Sequence, residues 1–437
     1  MTEASTKSGL PSSTATSGFL LGILHRLVGV KPEEVAAVGW SWLYIFAVLS
    51  SYYILRPIRD QMGVAGGVGN LQWLFAGTLV AMAFVNLPFG LLVKRLPRTR
   101  FIPITYRCFA AVIVLFALLL HWANAAQTVW VGRAFFIWVS VFNLFVVSIF
   151  WALIVDIFSS EDAKRLFGFI GVGATVGAIA GSAFTATLAR YVPAAAMLIG
   201  SVVLLEVAVF AVRRLSRQSA VLNSRPQHDA ERAVGGSILA GIAHPFTSAY
   251  LANISLFLLL FAITSTFLYF QQASIVSHSF SERGAQIAFF ASVDLAVNVL
   301  TLSVQLFLTG RIVGTIGIGP TLGLLPALTL LGFSVLAAAP TLATLVGFQV
   351  LRRSSDYAIA RPAREVLYTV VRREDRYKAK SFIDTFVYRL GDQVGAWSFT
   401  LISWLGFGTT GFAVAAGAVS AAWLVNALWL GRRQKSL

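Results

Sequence analysis

Apolar residues along this chain do not alternate with polar ones; they run on for about a bilayer's thickness and stop at short clusters of charge. In "AAVIVLFALLL", from Ala110 to Leu120, every side of a helix would be apolar. That pattern argues for a membrane helix and against the period-two strands of an outer-membrane barrel. About twelve runs of helix-crossing length, near 20 residues each, fall at 36–55, 71–93, 101–121, 129–155, 167–189, 191–212, 251–275, 285–309, 317–338, 341–370, 381–404 and 409–430. The predicted fold class is therefore an all-α integral membrane protein with twelve transmembrane helices.

Composition agrees with the pattern. The 437 residues are 57% hydrophobic and 12% charged, with 34 Phe and 11 Trp, an apolar excess that a water-soluble domain could not cover. The net charge of +16 would suit nucleic acid, but its placement points to topology. Basic residues follow every second span: Lys94, Arg95, Arg98 and Arg100; Lys164 and Arg165; Arg213, Arg214, Arg217, Arg225 and Arg232; Arg311; Arg372, Arg373, Arg376, Lys378 and Lys380; and Arg432, Arg433 and Lys435. The opposite loops hold little beyond Arg56, Arg59, Arg190 and Arg283. Loops that stay in the cytoplasm retain positive charge, so both termini are expected there. The first 18 residues, rich in Ser and Thr, lack the order of a signal peptide and read as a tail. Cys108 is the one cysteine, and no two of the five histidines have ligand spacing, so neither a disulfide nor a metal cage is expected.

The spans divide six and six around a long polar segment opening "RRLSRQSAVLNSRPQHD". The expected domains are a tail (1–35), a six-helix bundle (36–212), a cytoplasmic linker (213–245), a second bundle (246–430) and a short tail (431–437). An internal echo supports the division. "SSEDAKRLFGFIG" at Ser159–Gly171 recurs 213 residues later as "RREDRYKAKSFID" at Arg372–Asp384, and the same offset lays span one on span seven. Two pseudo-symmetric six-helix halves in parallel resemble the major facilitator architecture. The basic loop between spans two and three, "GLLVKRLPRTR" from Gly90, resembles that superfamily's loop in part, with Lys94 where an aspartate is common.

Three charged segments resemble the bacterial and plastid ATP:ADP antiporter (nucleotide transporter) family, a distant branch of the major facilitators. "YYILRPIRDQMG" supplies Arg56, Arg59 and Asp60 where the family has R-D-x-K-D at the end of helix one. "FWALIVDIFSSEDAKRLFGFIGVGATVGA", Phe150 to Ala178, resembles F-W-x-x-x-N-E-I, E-A-K-R and a glycine-rich helix, with Asp156 near the acidic position of the first. "REVLYTVVRREDRYKAKSFIDTFVYRLGD" keeps Glu365, Tyr368, Lys378, Lys380, Ile383, Asp384, Arg389 and Gly391 of the pattern around helices ten and eleven. The resemblance implies nucleotide exchange across a bacterial inner membrane, with helices one, four, seven and ten around a central cavity. Three departures bear on substrate: Pro57 replaces an aspartate, Arg59 a substrate-binding lysine, and Asp392 a lysine, which weakens the case for a polyphosphate.

Ionised groups within lipid are costly unless paired or wetted, so they usually face a cavity. Arg352 and Asp356 are four apart, as are Arg361 and Glu365, so each couple can share a helical face. Asp384, Tyr388, Gly391, Asp392 and Gly395 form one stripe, and Arg389 and Asp392 are three apart. Arg56, Arg59 and Asp60 form a third cluster. Structural ion pairing is one reading of each residue; together they suggest a site. Arg bonds two oxygens of a phosphate or carboxylate at once, which makes Arg56, Arg59, Arg352, Arg361 and Arg389 the candidate substrate ligands. Arg352, toward the middle of its span, is the expected central contact. Asp60, Asp156, Asp294, Asp356, Glu365, Asp384 and Asp392 are the candidate coupling or gating acids. Asp294 and Glu206 stand isolated in apolar helices; an unpaired buried carboxylate is readily protonated and suits proton coupling, while a bond to another helix is the alternative. Asp156 either gates, caps its helix or pairs with Lys164 or Arg165. The glycines of "GFIGVGATVGAIAGS" suit close helix packing better than a dinucleotide fingerprint, which needs a preceding strand.

No Ser-His-Asp set, Walker loop or metal-ligand cluster appears in the sequence, so an enzyme, an ATP-driven pump and a cofactor are not expected. The expected partners are a small organic anion, the bilayer and, for coupling, protons. The expected function is secondary active transport of that anion by alternating access, nucleotide exchange being what the resemblance implies. The rivals are a proton-coupled carrier of another solute and a non-transporting receptor or scaffold of the same fold.

Overall fold

The computed structural model describes residues 30–95, 98–158, 160–222, 248–371, 379–380 and 382–436. The N-terminal tail, the linker beyond Leu222 with Arg225 and Arg232, and the basic loop Arg372–Lys378 with most of the second echo copy lie outside them. In the first half, helices run over Val35–Ala65 (α1), Leu71–Arg95 (α2), Arg98–Trp122 (α3), Ala125–Ile157 (α4), Ser160–Leu188 (α5) and Ala194–Leu222 (α6). In the second they run over Ala249–Ser279 (α7), Arg283–Phe307 (α8) and Ile318–Ala338 (α9). Next comes α10, built from Leu342–Ser355, a π segment Asp356–Ala360 and Arg361–Leu367. α11 joins a π segment, Ile383–Val387, to Tyr388–Trp404, and α12 spans Gly408–Ser436. α1 starts at Val35 and α7 at Ala249, close to the 213-residue offset of the echo.

Ten of these helices are long and apolar enough to cross a membrane. The other two, α10 and α11, carry the charges and the π segments. Two helices outrun the apolar pattern by ten residues at one end. α6 continues to Leu222, and α1 runs to Ala65 where the charges suggested a stop near residue 55. Pro57 lies inside α1 and costs it one donor. The helix persists because Ile58, Met62 and Val64 are buried beyond it and Arg56 and Arg59 have acid partners. Asn124 and Thr341 cap α4 and α10 by accepting the Gln127 and Thr344 amides.

In each half the first helix is the centre. α5 lies so close to α1 that a β-carbon at Gly177 or Gly181 would collide with the Phe46 or Ser50 carbonyl, and Ser50 Oγ donates to the Gly177 carbonyl at 2.9 Å. Glycine at this register is therefore a packing requirement. Ser51 bonds Ser201 on α6 and Tyr44 bonds Tyr106 on α3, at 2.6 and 2.7 Å. In the second half α7 receives α12 through Phe257, Phe261 and Trp423, and Asn426 Nδ2 donates to Asn253 Oδ1 at 2.8 Å.

The halves meet where α1 and α7 end. There Val64, Leu71, Leu74 and Phe136 pack with Phe270, Ala273, Val276, Phe290 and Ala396. Trp73 stands edge-on to Trp397 at 4.9 Å, and Gln61 Nε2 donates to Gln286 Oε1 at 3.3 Å. Among the described residues no buried apolar cluster joins the halves at the opposite end.

Candidate functional site

Beneath this seal, between the halves, lies a cavity of about 240 Å³. α1 contributes Arg56, Arg59 and Asp60, and α4 contributes Ser140 and Asn143. α7 adds Thr266, Tyr269 and Gln272, and α8 adds Asp294. α10 brings Arg352, Arg353, Asp356, Tyr357 and Arg361, and α11 brings Tyr388, Arg389 and Asp392. Six arginines thus face four aspartates, a formal excess of two positive charges.

Five of the arginines have a carboxylate partner. Arg59 Nη2 donates to Asp60 Oδ1 at 2.6 Å, which also accepts from Tyr269 Oη on α7 at 3.1 Å. Asp294, 3% exposed, lies between Arg353 Nη1 at 2.7 Å and Arg56 Nε at 3.5 Å. It therefore ties α1 of one half to α8 and α10 of the other. Arg361 pairs with Asp356 and Arg389 with Asp392, each at 3.1 Å. Arg352 differs. Its Nε donates to Thr329 Oγ1 at 3.1 Å, and its Nη2 donates to Thr264 Oγ1 and Ser265 Oγ at 3.0 Å. Among the described residues it pairs with no carboxylate. Two further buried donors, Arg56 Nε and Arg353 Nη2, make no hydrogen bond.

The structure gathers nine of the twelve predicted site residues at this cavity: Arg56, Arg59, Asp60, Asp294, Arg352, Asp356, Arg361, Arg389 and Asp392. Three do not line it. Asp156 is exposed at the end of α4, Glu365 binds Lys380, which precedes α11, and Asp384 lies in the π segment of α11 with Oδ1 unbonded. The predicted couples on α10 are also re-sorted. Arg352 does not pair with Asp356, nor Arg361 with Glu365; instead Asp356 pairs with Arg361, five residues on. The π segment explains this, because a wider turn brings i and i+5 to one face. Asp294 is not isolated, having two arginines, and Glu206 pairs with Arg107 on the outside of the first half at 3.3 Å. The stripe on α11 is split: Gly391 and Gly395 rest against Leu259 and Ile263 of α7, while Asp392 faces the cavity.

The sequence reading omitted Arg353, Tyr269 and Tyr357, and named Tyr388 in the α11 stripe without giving it a role in the site. Arg353 follows Arg352 directly, and a helix turns adjacent side chains about 100° apart; both reach the cavity because it lies against a broad face of α10. Tyr269 and Tyr357 left no signal, since an aromatic residue in an apolar span reads as core.

Residues 35–353 match the Major Facilitator Superfamily. No curated protein matches the chain. Solved structures agree on the fold. A POT family transporter in complex with 5-aminolevulinic acid has a TM-score of 0.64 at 10% identity, over 91% of this chain and 96% of that one. A bacterial homologue of the iron transporter ferroportin, in an inward-facing state, gives 0.64 at 10% identity over 89% and 99%. The nucleoside transporter NupG gives 0.58 at 14% identity over 93% and 100%. At these identities the likeness concerns the fold, and the match along the sequence supplies the family. Two six-helix halves with a polar cavity between them, and a superfamily match over most of its length, place the chain in the Major Facilitator Superfamily as an integral membrane carrier of small molecules and not an enzyme.

Proposed function

We propose that the chain moves a compact organic anion by alternating access, bound in the cavity between its halves. The observation that carries this reading is positive charge that no acid offsets: Arg352 is held by hydroxyls, and Arg353, though its Nη1 pairs with Asp294, has a buried Nη2 without an acceptor. A buried donor left unbonded costs about 1–3 kcal/mol, which a carboxylate or phosphate oxygen would recover. The formal excess of two charges suits a dianion. A volume of about 240 Å³ lies below the ~300–1,000 Å³ of sites for drug-sized ligands, so a small metabolite fits this state better than a nucleoside polyphosphate.

The apolar seal closes one end, and Arg361, with half its side chain exposed, stands at the other end of the lining. With both termini in the cytoplasm of a bacterial inner membrane, the cavity opens inward. Binding draws Arg56 from one half and Arg352 and Arg353 from the other onto one anion. Asp294, held between Arg56 and Arg353, is the acid such an anion competes with and the first candidate for a coupled proton.

Nucleotide exchange is the second reading. It is supported by the resemblance in the charged segments and by Tyr269, Tyr357 and Tyr388 beside the arginines, since their rings offer faces for a base. Against it, Asp392 already occupies Arg389. Uptake of labelled dicarboxylates, sugar phosphates and nucleotides into proteoliposomes, with and without a pH gradient or internal counter-substrate, decides among these. Charge-assisted hydrogen bonds contribute about 1.5–3 kcal/mol each. The double variant Arg56→Ala, Arg352→Ala should therefore transport the active anion at least about tenfold more slowly. Transport at the wild-type rate by a folded double variant would refute the site.

A further inference from the structure

We propose that the outward face of α3 and α6 is a dimer contact, covered in the membrane by a second copy of this chain. The observation is an ion pair where lipid would otherwise lie. Arg107 Nε and Nη2 each stand 3.3 Å from a Glu206 carboxylate oxygen, yet the two side chains remain 51% and 47% exposed. Glu206 lies seven residues, about 10 Å, inside Arg213 at the basic end of α6, and so within the apolar part of the helix. Arg107 is seven residues into the span Arg100–Trp122. Ionised residues at that depth almost always face protein or a wet cavity. Neither residue lines the central cavity, and the exposed side chains of the same two helices include the apolar Ile104, Leu115, Val203 and Phe210.

The geometry of the face suits a helix partner. On α6 the outward residues Ile199, Val203, Glu206 and Phe210 recur at spacings of four and three, the spacing of a helix-packing seam. On α3, exposed Cys108 and Ala111 beside Arg107 are small and admit close approach. The chemistry selects a second copy. One arginine beside one glutamate is self-complementary: a two-fold axis through the pair sets Arg107 against Glu206 of the partner subunit, and Glu206 against the partner's Arg107. The four charges then alternate in sign and are withdrawn from lipid together. This inference is independent of the anion site.

Cys108 supplies the probe, being the only cysteine, exposed and next to Arg107. The full-length chain in dilute proteoliposomes is treated with a short bis-maleimide, and subunits carrying an amino-terminal dye are counted by single-molecule photobleaching. The expected result is two-step bleaching and a Cys108-dependent cross-linked dimer. Arg107→Glu alone and Glu206→Arg alone should each lower the cross-linked fraction several-fold. The double charge swap, self-complementary again, should restore it, which separates loss of contact from loss of fold. Single-step bleaching of the wild type, or cross-linking equal in all four proteins, overturns the proposal.

Discussion

Arg352 shows what a single side chain contributes here. It is 3% exposed and bonded to hydroxyls of α7 and α9, so its charge is oriented but not neutralised. Lysine at this position would keep the charge and lose the planar fork. We expect Arg352→Lys to transport about tenfold more slowly with thermal stability nearly unchanged, as measured by initial uptake rates and a melting curve. Asp294 has the opposite role. Asp294→Asn leaves Arg56 and Arg353 close together without their shared acid, and breaking such a buried pair costs about 3–5 kcal/mol. The variant should melt below the wild type, and the transported anion should raise its melting temperature more than that of the wild type. Equal ligand shifts in the two proteins would show that the anion does not replace Asp294.

At the level of the helix, the π segment of α10 decides which charges share a face. Deleting one residue from Asp356–Ala360 should restore α-helical register and rotate Arg361 away from Asp356. Transport should fall to background while the protein still purifies as a folded monomer or dimer; retained transport would show that the pairing is incidental. The contact of α5 with α1 is purely steric. Gly181→Val adds bulk against the Ser50 carbonyl, and overpacking of this kind costs about 1–3 kcal/mol, read as a lowered melting temperature. The helices themselves were legible in the sequence because unbroken apolar runs leave the backbone no solution but a helix in lipid. Their ends were less so: α1 passes ten residues beyond Leu55, since charge paired across the cavity terminates an apolar run without terminating a helix. The π segments left no mark in the pattern of apolar positions.

Across the whole molecule, alternating access requires the seal at the ends of α1 and α7 to part. Gln61 and Gln286 bridge the halves there. With Cys108 replaced by Ser, cysteines at positions 61 and 286 joined by a short thiol cross-linker should hold the carrier closed at that end and stop uptake. A reducible linker should restore transport when cleaved. Uptake unaffected by a complete cross-link would place the moving contact elsewhere. The same scale accounts for the charges. Nine predicted residues converge on one opening although they come from α1, α8, α10 and α11, as expected if the expense of charge in lipid is tolerated only beside a solvated passage.

By itself the sequence determined the membrane class, the twelve spans, the division into halves and the segments bearing the buried charges. These follow from local composition and from a repeat, both written along the chain. Only the tertiary structure decided which charges pair. Asp294 joins arginines from two halves, Asp356 takes Arg361, and Arg352 is left to hydroxyls. Partners so far apart are chosen by helix rotation and by the meeting of two bundles, and neither leaves a periodic trace in the order of residues.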